Sequence, residues 1–394
     1  MKKNRIFIIL MLIAIESFFL IFINKNFLNH KVISDDTNTK KIENKNNSFA
    51  ILLQSGNAYI ETDEFPVTNY QFDSSKSGCV NETGERILDN GQNVLSYDAT
   101  NRLAILNTDE ASYCYLYFNK ACKGNGLSLI ECSPDGLGTE EEGGLYRYEG
   151  EEVNNYVCFG TKSKNTCLGN LDKYMYRIVG IDASGKMKLI KKDALYNKKW
   201  HSDASENITW PNSDLYKGLN GLKETDNYFL GTDYIPMEWE NVIEEVDWHY
   251  GDMGLELSQT SARNLASMEL EFPTIKAKIG LMYLHDYAYS LPGGNNCSAE
   301  GSYEKCATSW MFLWKTTSFG DRWEWTITRG SYDNKTLKSW IIFSFGYIAV
   351  DTASHEIDVR PTFYLKDDQA IVSGIGTIND PYMLSYMTDI LHEG

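Results

Sequence analysis

The chain has 394 residues, a formal net charge of −17 and an aromatic content of 13%. At roughly 150 residues per domain, this length predicts two or three domains, and so high an aromatic content excludes a wholly disordered chain. The acidic balance argues against nucleic acid as a partner, because phosphate binding requires a basic face. We therefore expect a folded protein whose partners are not nucleic acids.

The N-terminal segment has the features of a membrane anchor. Residues 6–23 are uncharged except for Glu16, and this run approaches the length of about 20 residues that spans a membrane. Three basic residues precede the run, so the positive-inside rule keeps the N-terminus in the cytoplasm. No small-residue cleavage site follows it. We predict an uncleaved signal-anchor transmembrane helix over 1–28, which makes the chain a single-pass cell-membrane protein with its bulk outside.

The next segments predict a stalk and a small β module. Residues 29–47 are polar and lack an apolar period, which is typical of a hydrated stalk. From Ser48 onward, apolar residues alternate with others, as they do from Cys114 to Phe118, and this period indicates strands with one buried face. We predict a small all-β module, resembling an immunoglobulin-like sandwich, over 48–119. The Gly-rich, acidic stretch 120–145 predicts a linker or long loop.

The C-terminal part, residues 146–394, predicts a separate irregular α+β domain. All nine Trp lie between Trp200 and Trp340, and such clustering marks an aromatic-rich domain. A hairpin is predicted from YMYRIVGID and KMKLIKK, with Lys188 on the polar face of its second strand. The other predicted elements are a short helix capped by Asn212 or Ser213, a buried strand over Ile279–Leu284 followed by a helix that Asp286 caps, and strands near 325–329, 339–343, 346–350 and 359–365.

An even number of cysteines outside a membrane predicts disulfides. The eight are Cys79, Cys114, Cys122, Cys132, Cys158, Cys167, Cys297 and Cys306. Cys158 with Cys167 and Cys297 with Cys306 share one spacing around short polar loops, so we predict these two bonds. The other four cysteines allow three pairings, of which Cys79 with Cys114 could staple the two sheets of the β module. No C-x2-C occurs, so we expect no zinc site.

The sequence contains no clear catalytic signature and no cofactor-binding motif. H-E-x-x-H, G-x-S-x-G and P-loop patterns are absent. The best candidates for a general base are His249, in Trp248-His249-Tyr250, and His285, next to Asp286. Turn capping and local hydrogen bonding are the alternative roles of these residues.

A run of carboxylates surrounds Trp239, between Glu238 and Asp247. Carboxylates beside aromatic rings suit glycoside chemistry or calcium binding, but no D-x-D-x-D-G loop occurs, and we predict no metal. On a helix, Glu240 and Glu244 would share one face, where their like charges repel. A plain solvated helix face is the preferred interpretation of this run. The candidate ligand-binding residues from the whole sequence are Trp239, Glu240, Trp248, His249, His285 and Asp286.

The stretch Asp321-Arg322-Trp323-Glu324-Trp325-Thr326 resembles the G-N-V-W-E-W-T signature of the formylglycine-generating-enzyme (sulfatase-modifying factor) family, a branch of the C-type-lectin-like folds. Ser339-Trp340 and Val359-Arg360-Pro361 fall where that family has its G-G-S-W and G-F-R segments. The resemblance implies a structural motif in which Trp323 and Trp325 pack the core and Glu324 is buried and paired. Arg329 and Arg360 are the expected partners. The active enzymes carry cysteines downstream of this motif, whereas no Cys follows Cys306, so the resemblance implies a scaffold without oxidase activity.

A second resemblance covers more of the chain. The segments YRIVGID…GKMKLIKK, IGLMYLHDYAYS and VRPTFYL, with the closing GIGTINDPY, resemble an exported bacterial surface-domain family of unknown function. Members of that family are exported and often anchored, which agrees with the predicted anchor.

From these features we expect a non-catalytic role in recognition or adhesion, with a glycan, cell-wall or protein ligand and no cofactor. Two alternatives remain open. A structural subunit of a surface fibre would self-associate through Glu16 or through exposed edge strands. An extracellular enzyme would use His249, His285 or the 238–247 carboxylates, and it requires these residues to converge in one pocket with perturbed pKa values.

Overall fold

The computed structural model describes residues 48–55, 58–66, 69–108, 111, 113–134, 136–141, 144–223, 226–254, 261–291, 309–312, 323–343 and 346–385. The predicted anchor and stalk, and the predicted bond between Cys297 and Cys306, lie outside these residues. Within them, no helix has the length and apolar character that a membrane span requires.

The described residues form a strand-rich, mixed α+β structure that divides into two compact units. The first unit takes in 48–54, 59–66 and Phe72–Phe118. The second takes in the chain from Asn119 onward, together with short segments at 55–58 and 67–71.

Most of the N-terminal strands are short. They are β1 (Ser48–Ser55), β2 (Ala58–Thr62), β3 (Tyr70–Phe72), β4 (Gly78–Val80), β5 (Leu88–Asp89), β6 (Gln92–Asn93), β7 (Leu95–Asp98), β8 (Leu103–Leu106) and β9 (Tyr113–Lys120). In the main sheet β1 lies between β2 and β9 and runs parallel to β9. Along β9, Cys114, Leu116 and Phe118 are buried, as their alternation in sequence predicts.

The second unit contains short helices and two larger sheets. Its helices are α1 (Gly126–Cys132), α2 (Lys164–Gly169), α3 (Leu171–Tyr174), α4 (Asp214–Leu219), α5 (Met237–Glu240), α6 (Ala262–Leu270) and α7 (Leu284–Tyr289), with a 3₁₀ turn at Trp210–Asn212. Its strands are β10 (Leu137–Glu141), β11 (Leu145–Tyr148), β12 (Tyr156–Cys158), β13 (Met175–Asp182), β14 (Met187–Lys191), β15 (Leu195–Lys198), β16 (Ile243–Glu244), β17 (Val246–His249), β18 (Thr274–Ala277), β19 (Ile279–Gly280), β20 (Glu324–Asp333), β21 (Thr336–Ile342), β22 (Ile348–Thr352), β23 (Ile357–Val359), β24 (Thr362–Leu365), β25 (Ile371–Ser373) and β26 (Tyr382–Leu384).

The predicted hairpin forms the centre of the larger sheet, whose order is β16-β24-β14-β13-β12-β26-β25, with β11 beside β13 and β19 beside β24. Every residue of β14 is buried, so both of its faces are covered. The prediction that Lys188 lies on a polar, solvent-facing side is therefore wrong, because other elements pack against that face as well. A second sheet has the order β15-β23-β20-β21-β22.

Two local predictions fail where tertiary pairing overrides the sequence pattern. The strand expected over Ile279–Leu284 is only the two residues of β19, and α7 already begins at Leu284. Asp286 therefore lies inside the helix, and its carboxylate accepts the backbone N–H of Tyr283, the N-cap residue. The carboxylates at 238–247 do not share a helix face either, since α5 ends at Glu240 and Glu244 pairs with Tyr364 in the sheet.

Three disulfides are present among the described residues: Cys79–Cys114, Cys122–Cys132 and Cys158–Cys167. The predicted bond between Cys158 and Cys167 is confirmed, and so is the pairing of Cys79 with Cys114. This second bond does not staple two sheets, because its cysteines stand opposite each other on the neighbouring strands β4 and β9.

Candidate functional site

The candidate site rests on a row of residues that crosses four strands of the larger sheet. Arg147 on β11 stands opposite Gly180 on β13, Gly180 stands opposite Lys188 on β14, and Lys188 stands opposite Tyr364 on β24. Directly opposed residues share one face of a sheet. A Cβ at Gly180 would lie 2.7 Å from the carbonyl oxygen of Tyr146 and 3.3 Å from Cγ of Arg147. A side chain at this position would therefore collide with the backbone of β11 and crowd the stem of Arg147.

A pocket of about 220 Å³ lies over this row. The buried side chains of Arg147, Lys188, Tyr283 and His285 line it. His249 and Tyr364, which also line the pocket, are half-buried. The pocket therefore has buried polar groups at its base and partly accessible ones towards the surface.

Asp286 compensates the two buried cations of the pocket. Its Oδ2 lies 2.5 Å from Nζ of Lys188, and its Oδ1 lies 3.4 Å from Nε of Arg147. Burial by itself would raise the pKa of Asp286, but the charges of Lys188 and Arg147 outweigh it and hold this pKa well below its usual range. Asp286 is therefore ionised. The pKa of Lys188 is lowered, chiefly because its ammonium group is buried.

Glu269, on α6, holds the imidazole of His285. The Nδ1 of His285 lies 2.6 Å from Oε2 of Glu269, and the same carboxylate accepts the backbone N–H groups of Leu284 and His285 and the hydroxyl of Thr328. Because a carboxylate oxygen accepts, the proton of His285 lies on Nδ1 and Nε2 is left as an acceptor. Burial lowers the pKa of this histidine, which keeps the imidazole neutral near pH 7.

His249 has the same arrangement with a different acceptor. Its Nδ1 lies 3.0 Å from the backbone carbonyl oxygen of Phe272, so this nitrogen donates. Its backbone N–H donates to the hydroxyl of Tyr283 at 2.8 Å. Within the described part of the chain, Nε2 of His249 makes no hydrogen bond. Two imidazoles therefore line one pocket, each with Nδ1 engaged by protein.

Aromatic rings surround the buried ion pair. The rings of Tyr283 and His285 stack at 4.8 Å, and Nζ of Lys188 lies 4.6 Å from the centre of the Tyr283 ring. Trp248 packs beneath, where its Nε1 donates to the carbonyl of Ala277. A Cβ at Gly280 would lie only 2.4 Å from the Trp248 ring, so this close packing requires glycine.

Two of the predicted ligand-binding residues lie elsewhere. Trp239 is buried in the core, where its ring packs at 5.1 Å from that of Phe159. The Oε1 of Glu240 lies 3.1 Å from Nζ of Lys278 in a partly exposed ion pair. Neither residue lines the pocket, whereas Trp248, His249, His285 and Asp286 come together at or beneath it.

The W-E-W segment forms a separate buried ion pair. Arg360 donates from Nε and Nη2 to the two oxygens of Glu324, each at 2.7 Å, and both side chains are buried. Trp325 is buried, and Trp323 packs against Phe343. Arg329 is not a partner of Glu324, because its guanidinium instead contacts Asn207 at 2.6 Å and Asp252 at 3.6 Å.

Four important residues of the site did not emerge from the sequence: Arg147, Lys188, Glu269 and Tyr364. Lys188 is part of an alternating run that predicts solvent exposure, and Glu269 is one of many carboxylates in an acidic chain. The one available signal of burial was a charged residue directly flanked by apolar or aromatic residues in a strand, as Arg147 and Lys188 are.

The described residues contain no group of three or more His, Cys, Asp or Glu side chains that could hold a metal ion. Comparison of the chain with protein-family models, with curated proteins and with solved structures finds no match.

Proposed function

We propose that this protein is an exported, membrane-anchored recognition protein whose second unit binds a small ligand in the pocket lined by His249 and His285. The observation that carries the proposal is that these two imidazoles line one pocket. Beneath them, the buried cations Lys188 and Arg147 are paired with Asp286. Ligand sites usually combine apolar and aromatic walls with a few convergent polar groups. The pocket is smaller than the ~300–1,000 Å³ of most such sites. Its occupant is therefore one small molecule, or the end of a glycan, wall fragment or protein.

The chemistry of the described lining supports binding without catalysis. It contains no Ser, Thr or Cys side chain that could act as a nucleophile. Lys188 and Arg147 both form ion pairs with Asp286. A cation held in this way is poorly placed to stabilise negative charge on a reacting substrate.

An extracellular enzyme is the second candidate, and one observation favours it. The pair formed by Glu269 and His285 has the geometry of a carboxylate that orients a general base, and His285 lines the pocket. This alternative predicts that a bound compound is consumed, which product analysis after prolonged incubation would detect.

The remaining parts of the proposal rest on the sequence and on the disulfides. The apolar run within residues 1–28 supports a signal anchor, and three disulfides suit an oxidising compartment outside the cytoplasm. The ion pair of Glu324 with Arg360 supports a C-type-lectin-like scaffold for the second unit. The immunoglobulin-like fold that we propose for the first unit has weaker support, which is its strand content alone.

The test is calorimetric titration of the full-length chain in detergent micelles with monosaccharides, cell-wall fragments and peptides. We expect at least one compound to bind, and we expect His249→Ala and Tyr364→Phe each to weaken binding by about tenfold, which is about 1.4 kcal/mol. Glu240→Gln is the matched control, because Glu240 lies outside the pocket. Binding that is equally strong in all three variants, or a panel with no binder, would refute the proposal.

A further inference from the structure

We infer that the ligand of this pocket is a hydroxyl-rich molecule without negative charge, about the size of one sugar ring, whose hydroxyl groups donate hydrogen bonds to Nε2 of His249 and of His285. The inference rests on the proposed function, which makes this pocket a binding site. It adds the chemical class of the ligand.

Hydrogen-bond polarity is the first argument. Phe272 O and the Glu269 carboxylate accept from Nδ1 of His249 and His285 respectively, so Nε2 is the nitrogen through which the neutral form of either ring can accept. The nearest carboxylate oxygen to Nε2 of His285 is Oδ1 of Asp286, at 3.9 Å, which is beyond hydrogen-bonding range. Neither Nε2 has a donor among the described residues, and a ligand hydroxyl would supply one.

Charge is the second argument. The three cationic side chains that line the described pocket all have carboxylate partners: Lys188 and Arg147 share Asp286, and Nζ of Lys186 lies 3.3 Å from Glu244. An anionic ligand would have to displace one of these carboxylates or be buried beside it. Either event is unfavourable, because buried like charges repel strongly.

The shape and the apolar part of the lining are the third argument. Leu145, Val246 and Leu270 also line the pocket, and they can cover the C–H groups of a ring while its hydroxyls reach the imidazoles. The phenol of Tyr364 adds a group that both donates and accepts. Such a mixture suits a ring that carries hydroxyls on one edge and C–H groups on its face.

The experiment compares matched neutral and anionic probes on the full-length chain. We would titrate glucose and N-acetylglucosamine against glucuronate and glucose 6-phosphate by calorimetry at neutral pH. We expect a neutral sugar to bind, and the anionic analogue of the same ring to bind at least about tenfold more weakly. His249→Ala should remove most of the neutral-sugar affinity, and His249→Gln, whose side-chain oxygen can still accept, should retain part of it. The melting temperature of each variant shows that it is folded.

The two proposals fail in different ways. Anionic probes that bind as tightly as neutral ones, or neutral-sugar binding unchanged in His249→Ala, would overturn the ligand class. If no sugar binds but another compound of the panel loses affinity in His249→Ala, the pocket is a binding site and the inference is wrong. If no compound depends on His249 or Tyr364, both proposals are wrong.

Discussion

At the scale of single residues, the second unit buries several charged side chains and pairs some of them with an opposite charge. Glu324 and Arg360 form two hydrogen bonds of 2.7 Å within the core. Such a pair contributes little net stability, yet removal of one member leaves an uncompensated buried charge. The same reasoning applies to Asp286 with Lys188 and Arg147.

We predict that Arg360→Met lowers the free energy of unfolding by about 3–5 kcal/mol, because it leaves Glu324 buried without a partner. Urea denaturation of the full chain measures this change. Lys278→Met is the matched control, since it breaks the partly exposed pair with Glu240 and should cost less than about 1 kcal/mol. Equal losses in the two variants would show that Arg360 is not part of a buried network.

His285 should make stability depend on pH. Its pKa in the folded protein is lowered by burial, so near neutral pH the unfolded chain binds a proton more readily than the folded one. Stability is therefore complete above the unfolded pKa of about 6.5 and falls as the pH decreases below it. Asp286, whose folded pKa is also lowered, adds a separate loss below about pH 4.

The measurement is the free energy of unfolding at pH values from about 7.5 to 5, for the wild-type chain and for His285→Asn. We expect the variant to lose less stability across this interval than the wild type. Identical slopes would mean that His285 does not change its protonation between the folded and unfolded states in this range.

At the scale of elements, the site depends on strand register more than on any local motif. Gly180 stands between Arg147 and Lys188 in the row that crosses the sheet. Its Cβ position is 2.7 Å from a backbone oxygen, which cannot move as a side chain would. The absence of a side chain at Gly180 therefore lets β11, which carries Arg147, pack closely against β13.

We predict that Gly180→Ala destabilises the chain by about 1–3 kcal/mol, as overpacking of a core does, and weakens ligand binding. Gly169→Ala is the control, because an added Cβ there meets nothing within 4 Å and the residue ends a helix. Alanine in a helix should be neutral or stabilising by about 0.5–1 kcal/mol. Thermal denaturation of both variants measures these changes in stability. A Gly180→Ala variant as stable as the wild type would contradict the register described above.

Local sequence patterns predicted some elements of the second unit and missed what tertiary pairing determines. The β13–β14 hairpin and the short helix capped by Ser213 follow from nearby residues. The burial of Lys188 does not, because Asp286 lies 98 residues away in the sequence. His249 and His285 could be selected as chemical candidates, but their convergence requires the register of β17 and the position of α7. Glu269 gave no signal because its acceptor role exists only when α6 packs against α7.

At the scale of the whole molecule, the sequence predicts an anchored protein with its folded units outside the membrane. The acidic chain, with a net charge of −17, suits a soluble extracellular part. The described disulfides suit the same compartment. The role that we propose, recognition of a small ligand by a tethered protein, is consistent with these features.

The proposed anchor makes its own prediction. After expression with its native N-terminus, the full chain should remain in the membrane pellet through alkaline carbonate extraction, since a spanning helix is held by its apolar length. A variant that lacks residues 1–28, with a cleavable export signal in their place, should be released as soluble protein. Release of the full chain would contradict a signal anchor, and retention of the shortened variant would place the membrane contact elsewhere.

The most direct test of the binding site is nitrogen NMR of the imidazoles in histidine-labelled protein, with signals assigned through His249→Gln and His285→Gln. At about pH 8, above the ordinary histidine pKa of about 6.5, we predict that Nε2 of both residues resonates as an unprotonated acceptor, and that neutral monosaccharides shift these two signals while those of His201 and His355 stay in place. A proton on Nε2 of either residue, or signals from both that no small molecule of the panel perturbs, would contradict a ligand pocket at this position.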